Sequence, residues 1–152
     1  MNRTMIIAMV LMCGVAAIPS DLYAKDTNNN RNNMENLTLT KEWDKTFPKS
    51  DKVDHRKVTF VNRYGITLAA DMYKPKGAAG KLPAIAVCGP FGAVKEQAAG
   101  LYAQEMAERG FLTIAFDPSF TGESGGTPRY MTSPDINTED FSCLLYTSPS
   151  PR

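Results

Sequence analysis

Histidine, tryptophan and cysteine are scarce in this sequence. Its 152 residues hold one histidine, His55, one tryptophan, Trp43, and three cysteines. Cys13 lies in an apolar leader and Cys143 in an atypical tail, which leaves Cys88 as the one cysteine of the intervening chain. A single thiol closes no internal disulfide, so a disulfide scaffold is excluded. An excess of charge of one sign is also missing. Seventeen Lys and Arg against sixteen Asp and Glu give a net charge of +1, which points to neither nucleic acid nor a strongly charged partner. No apolar run reaches the ~20 residues of a membrane-spanning helix. With 43% hydrophobic residues, the chain holds enough apolar side chains for one globular domain at most.

The longest apolar run, Met5 to Ile18, follows Arg3 and precedes Leu22-Tyr23-Ala24. A basic start, a short apolar stretch and a small-residue cleavage signal make a secretory signal peptide over residues 1–24. Cys13 sits in mid-run behind the large Met12, which does not fit a lipoprotein anchor. The expected location is therefore the periplasm or the outside of a bacterial cell, with no membrane association after cleavage. Residues 25–46 are Asn-rich and polar at their start, and read as a disordered linker. Trp43 and Phe47 are expected to pack an N-terminal arm onto the domain. At the other end, "CLLYTSPSPR", residues 143–152, resembles the translated mosaic-end adapter of transposase-based sequencing libraries. The native chain is expected to continue past Ser142, so that residues 47–142 form the first half of a domain.

Within that half, "KVTFVNRYGITLAADMYKP" alternates apolar and polar side chains twice around Asn62-Arg63-Tyr64-Gly65, which predicts an antiparallel hairpin with Gly65 at positive φ. "LPAIAVCG" predicts a buried strand ending at Gly89. A helix follows, with Val94, Ala98, Leu101, Tyr102 and Met106 at spacings of three and four as its apolar stripe and Gly110 just past its end. "FLTIAFD" predicts a second buried strand ending at Asp117. Strand, helix and strand in this order form a right-handed parallel crossover. The loops "GPFG" and "DPSFTGESGG" then share the edge where open α/β sheets bind ligands.

One motif tests that layout. Gly122-Glu123-Ser124-Gly125-Gly126 fits G-x-S-x-G, the nucleophile elbow of serine hydrolases, which needs a strand directly before it and a helix directly after. Pro118 to Phe120 intervene before the motif, and Thr127-Pro128-Arg129 follow it. The next helix start is "NTEDFS", capped by Asn137 or Thr138. Ser124 is therefore expected to shape a wide loop rather than to attack substrate. Cys88 is expected to be a small core residue.

The hairpin, "LPAIAVCGPFG", the helix ending "MAERGF", "LTIAFD" and "GESGG" together resemble the front half of α/β-hydrolases, in particular exported dienelactone-hydrolase-like and acyl-peptidase-like enzymes. The resemblance covers about Lys57 to Ser142. It implies an α/β fold, a small acyl substrate, no cofactor, and backbone N–H donors of an oxyanion hole in the loop after the first parallel strand. Pro90 has no N–H, so Phe91 and Gly92 are the candidate donors, with Phe91 also facing an acyl pocket; a plain turn without catalytic role is the alternative. The resemblance also implies that the nucleophile, acid and histidine fall after Ser142. His55 precedes the hairpin, out of place for a triad base, and is expected at the surface.

Two rivals remain. A dinucleotide-binding domain would share the strand, turn, helix and strand with a terminal acid at Asp117, but Gly89-x-x-Gly92 lacks the G-x-G-x-x-G spacing that admits a pyrophosphate. A hydrolase-like binding protein without a triad would share everything seen in this half.

Overall fold

The computed structural model describes residues 36–146 and, in the leader, two two-residue antiparallel strands, β1 (Met9–Val10) and β2 (Cys13–Gly14). The rest of the signal-peptide reading, residues 25–35 of the linker and residues 147–152 of the tail lie outside the described residues.

The hairpin forms as its alternation demands. Strand β3 (Val53–Val61) pairs antiparallel with β4 (Thr67–Pro75), Val61 opposite Thr67. The turn is built on Asn62, whose Oδ1 accepts from the N–H groups of Tyr64 and Ile66, both at 3.0 Å. Gly65 takes φ +79°, the left-handed conformation that favours glycine. Strand β5 (Ala84–Cys88) and strand β6 (Leu112–Phe116) are parallel neighbours joined through helix α1 (Ala98–Glu108). The sheet order is β3-β4-β6-β5, with β4 and β6 antiparallel. Helix α2 (Pro134–Tyr146) closes the described chain.

Period-two alternation sorts the side chains onto two faces. One face gathers Ala70, Met72, Ala86, Cys88, Ile114 and Phe116, packed against Phe141 and Leu144 of α2. The other gathers Tyr73, Ile85, Val87 and Ala115 under α1, with Phe47 of the arm. Strand β4 is buried from Thr67 to Tyr73 because both faces are covered, so its polar positions are inside as well as its apolar ones.

Four expectations change. The stripe of α1 holds only one of the large residues expected: Met106 packs against the core, Leu101 and Tyr102 are exposed, and Ala99, Ala103 and Ala107 face the sheet. Small side chains let the helix backbone approach closely, and Thr113 Oγ1 of β6 donates to the Ala103 carbonyl at 2.8 Å. Helix α2 begins at Pro134 rather than at Asn137 or Thr138. Proline suits a first turn, where no N–H partner is needed, and the Asn137 N–H donates to the Ser133 carbonyl at 2.8 Å. The adapter-like segment from Cys143 was placed outside the domain half of residues 47–142. Instead α2 runs on to Tyr146 and lays Leu144 in the sheet core, one turn beyond Phe141. Residues 36–46 were placed in a disordered linker, yet Thr40 and Asp44 are hydrogen-bonded to the charged groups of Glu123 and Lys57, and Thr46 to the Glu96 carbonyl.

Trp43 and Phe47 dock the arm as anticipated, with rings edge to face at 5.7 Å and the indole N–H donating to the Phe47 carbonyl at 2.8 Å. That docking fixes Gly100 in α1. A Cβ there would lie 2.3 Å from the Lys95 carbonyl oxygen and 3.1 Å from the Phe47 ring. Gly→Ala within a helix normally stabilises by about 0.5–1 kcal/mol. Here the clash with fixed backbone wins, and Gly100→Ala is expected to destabilise by about 1–3 kcal/mol in thermal unfolding. A raised melting temperature would show that the arm and the first turn of α1 pack loosely.

Candidate functional site

The loops that leave β5 and β6 meet at one sheet edge, around a cavity of about 410 Å³. Cys88 to Ala93 line one wall, Phe116, Pro118 and Thr121 the second, and Met131, Asn137 and Phe141 the third. Both candidate oxyanion donors, Phe91 and Gly92, line it. Phe91 is exposed, and Gly92 has φ +82°. The turn closes through Ala93 N–H to the Pro90 carbonyl at 3.0 Å. Among the described residues the N–H groups of Phe91 and Gly92 donate to no protein acceptor. Cys88 is buried at the end of β5, and its Sγ lies 3.0 Å from the Gly89 carbonyl oxygen.

Ser124 is built into the scaffold. It is 1% exposed. Its Oγ donates to the Asp117 carbonyl at 2.7 Å and accepts from the Ala69 N–H at 2.8 Å, which fastens the loop to β4. Arg129 holds the same loop from outside by donating to the carbonyls of Ser124 and Gly122. No helix follows the motif before Pro134. A hydroxyl engaged on both sides and closed off from the cavity is not available as a nucleophile.

Sequence reasoning missed the ion-pair cluster beneath the site. Asp117, fully buried, accepts from the Lys95 N–H at 2.8 Å, from Lys95 Nζ at 2.8 Å and from the Glu123 N–H at 3.0 Å. Lys95 Nζ, also fully buried, reaches Glu123 at 2.8 Å and Glu96 at 2.5 Å. Burial works to lower the Lys95 ammonium, but the attraction of Asp117 and hydrogen bonds to Asp117, Glu123 and Glu96 outweigh it and hold the group above its usual range. Lys57 joins Glu123 at 2.5 Å to Asp44 of the arm at 2.8 Å. Burial alone would raise the Glu123 carboxyl; hydrogen bonds from Lys57 and Lys95 reverse this and bring it to about 2. Asp44 is brought to about 2 in the same way by Lys45 and Lys57. Asp44, Glu96 and Glu123 come within 4.8 Å of one another, as metal ligands would, but the ammonium groups of Lys57 and Lys95 already occupy the cluster.

His55 is not the surface residue expected. It lies in β3, with its side chain 14% exposed, and its Nε2 shares a 2.8 Å hydrogen bond with Asp71 Oδ1. Trp43 and Tyr73 pack against its ring. Lys45 Nζ lies 2.8 Å from the other Asp71 oxygen as an ion pair. This group belongs to the α1 side of the sheet and does not line the edge cavity. A second buried network ties α2 to the hairpin: Asp140 accepts from Asn62 Nδ2 at 2.8 Å and from the Ser119 N–H at 2.8 Å. Burial raises the Asp140 carboxyl against those hydrogen bonds.

The profile of the X-Pro dipeptidyl-peptidase (S15) family matches residues 64–141, just over half of the chain. The sequence is 64% identical over 144 residues to uncharacterized protein PA2218 of Pseudomonas aeruginosa, and 45% identical over 95 residues to uncharacterized protein YcjY of Escherichia coli K12. It spans 38% of the first and 31% of the second. The crystal structure of PA2218 matches with a TM-score of 0.72 at 70% identity, over 77% of this chain and 37% of that one. A structure of DcsB with its substrate analogue matches with a TM-score of 0.56 at 27% identity, over 64% of this chain and 33% of that one. The α/β hydrolase GrgF from Penicillium matches in fold, with a TM-score of 0.54 at 24% identity over 64% of this chain and 33% of that one.

Two outcomes follow from this geometry. Ser124→Ala leaves the buried Ala69 N–H without its acceptor and is expected to destabilise by about 1–3 kcal/mol in chemical unfolding. Unchanged stability would show that Ser124 does not hold the loop to β4. The second concerns acid. Carboxyls depressed on folding contribute stability above their unfolded values and lose it as pH falls through the folded ones. The melting temperature is expected to drop from about pH 4.5 toward about pH 2 as Glu123 and Asp44 protonate, with Asp140 acting in the opposite sense. Glu123→Gln should make that drop shallower; an unchanged acid slope would remove Glu123 from the cluster's energetics.

Proposed function

The chain belongs to the X-Pro dipeptidyl-peptidase (S15) family and has the α/β-hydrolase fold of its structural neighbours, and from that premise we propose that the whole protein is an exported hydrolase of acyl bonds. The described residues supply the oxyanion side of its site. The observation that carries this reading is the edge cavity at the carboxyl end of β5, lined by Phe91 and Gly92, whose N–H groups donate to no protein acceptor among the described residues. Free backbone donors held at such a rim lower the energy of the tetrahedral intermediate of acyl transfer, because they meet the charge where it develops on the substrate oxygen.

In this reading the nucleophile, its histidine and the acid come from the part of the whole protein outside this chain. The described residues bring no histidine to the cavity, and Ser124 and Cys88 are both held by backbone groups. These residues by themselves therefore hydrolyse no ester, since donors cannot replace an attacking group. A small acyl ester, as in dienelactone-hydrolase-like enzymes, fits an open apolar cavity whose walls include Phe91, Phe116 and Phe141. The family description favours a second substrate, the amide bond after a penultimate proline. Dinucleotide binding has less support, since Asp117, the acid that would meet the ribose, is buried and saturated by Lys95 and Glu123.

The leader supports export. Full-length protein secreted from a bacterial host should lack residues 1–24 by mass spectrometry, and an intact Met1 would contradict it. For activity, the purified full-length protein is expected to turn over p-nitrophenyl acetate faster than an Xaa-Pro p-nitroanilide. Faster turnover of the anilide would assign the peptide substrate, and no turnover of either would leave a non-catalytic binding protein.

A further inference from the structure

We propose that Lys95 is a positioning residue for the Gly89–Ala93 loop, acting through the Asp117 carboxylate and braced by the N-terminal arm. The inference rests on the hydrolase reading for its catalytic consequence, but not for its structural content.

One residue, Val94, separates Lys95 from Ala93, the last residue of the cavity-lining turn. The turn itself is held inside by one backbone hydrogen bond, Ala93 N–H to the Pro90 carbonyl. What fixes it relative to the sheet lies at Lys95. The backbone N–H of Lys95 and its ammonium grip the two oxygens of one carboxylate, which itself stands at the end of β6. A residue held by both main chain and side chain cannot rotate without breaking one contact, so the loop leaving β5 is tied to the strand beside it. Asp117 also holds the Glu123 N–H, and Glu123 returns to Lys95 Nζ. The path is sterically closed: a Cβ at Gly122, whose φ is +53°, would lie 2.2 Å from Asp117 Oδ2.

The arm closes the outer side. The Thr46 N–H donates to the Glu96 carbonyl at 3.0 Å, and the Thr40 N–H donates to Glu123 Oε1 at 2.7 Å. Asp44 reaches Glu123 through Lys57. Residues 40–46 thus press on both segments that hold Lys95. Donors for a developing oxyanion act only when held in place, and a displacement of about 1 Å lowers turnover on the order of a hundredfold. A fully buried ammonium that touches no part of the cavity has this use: it fixes the loop without meeting substrate.

The test uses full-length wild type, Lys95→Met and Glu123→Gln. Native-state amide exchange is read at Ala93 and Lys95, with β4 amides as the internal reference, beside kcat and KM for p-nitrophenyl acetate. In Lys95→Met the two loop amides are expected to exchange at least about tenfold faster while the β4 amides stay within about threefold. The value of kcat is expected to fall at least about tenfold with KM within about threefold. In Glu123→Gln the same changes appear in the same direction and smaller. If Lys95→Met does not fold, Glu123→Gln decides by the same reading. Loop exchange equal to wild type overturns the proposal, as does faster exchange with unchanged kcat, or a rise that spreads equally through β4. An inactive wild type overturns the hydrolase reading alone, and the amide comparison still decides whether Lys95 holds the loop.

Discussion

A lysine and an aspartate without solvent contact set the arrangement at the functional edge of this sheet. Removing two charges from water is costly unless each finds its partner and its remaining hydrogen bonds are satisfied. Asp117 meets that condition with three donors, and Lys95 with three carboxylates. Both lie in loops, so satisfying them dictates loop paths. The chain leaving β5 must return over the end of β6, and the chain leaving β6 must bend at Gly122, where no side chain fits. Ser124 and Arg129 then hold what remains of that bend. The cavity between the two loops follows from their paths, as does the outward placement of Phe91 and Gly92.

This arrangement also explains why the G-x-S-x-G letters form no elbow here. G-x-S-x-G in an elbow lifts its serine above the sheet on a tight strand-to-helix turn. Here the same letters occupy a loop whose serine points back into the sheet, onto the Asp117 carbonyl and the Ala69 N–H. The intervening Pro118, Ser119 and Phe120 and the late start of α2 carried that distinction in the sequence. The hairpin, the parallel strand pair, and the positive φ of Gly65 and Gly110 were legible for a related reason. Each strand and each glycine is fixed by neighbours within a few residues, where alternation and glycine placement act directly, and the right-handed crossover rule then pairs the two parallel strands.

What the sequence concealed depends on distant pairing or on side chains without a periodic signature. Nothing local separates Lys95 from the other surface-type lysines; its partner lies 22 positions away. Asp71 reads as the outward position of an alternating strand, and only the arm and α1 covering that face put it inside, beside His55 and Lys45. The face of α1 was misread because its buried alanines are small and its exposed Leu101 and Tyr102 are large. Close approach to the sheet, not bulk, selected the buried side.

The family and fold support the proposal of a hydrolase, in which the edge loops of this part of the chain hold the oxyanion donors. Acyl transfer passes through a covalent acyl-enzyme, so the nucleophile can be read directly. Full-length protein quenched in acid during p-nitrophenyl acetate turnover, digested and sequenced by mass spectrometry, should carry its acetyl group on a serine or cysteine outside residues 36–146. An acetyl group on Ser124 would contradict the account and make the buried loop serine the attacking residue.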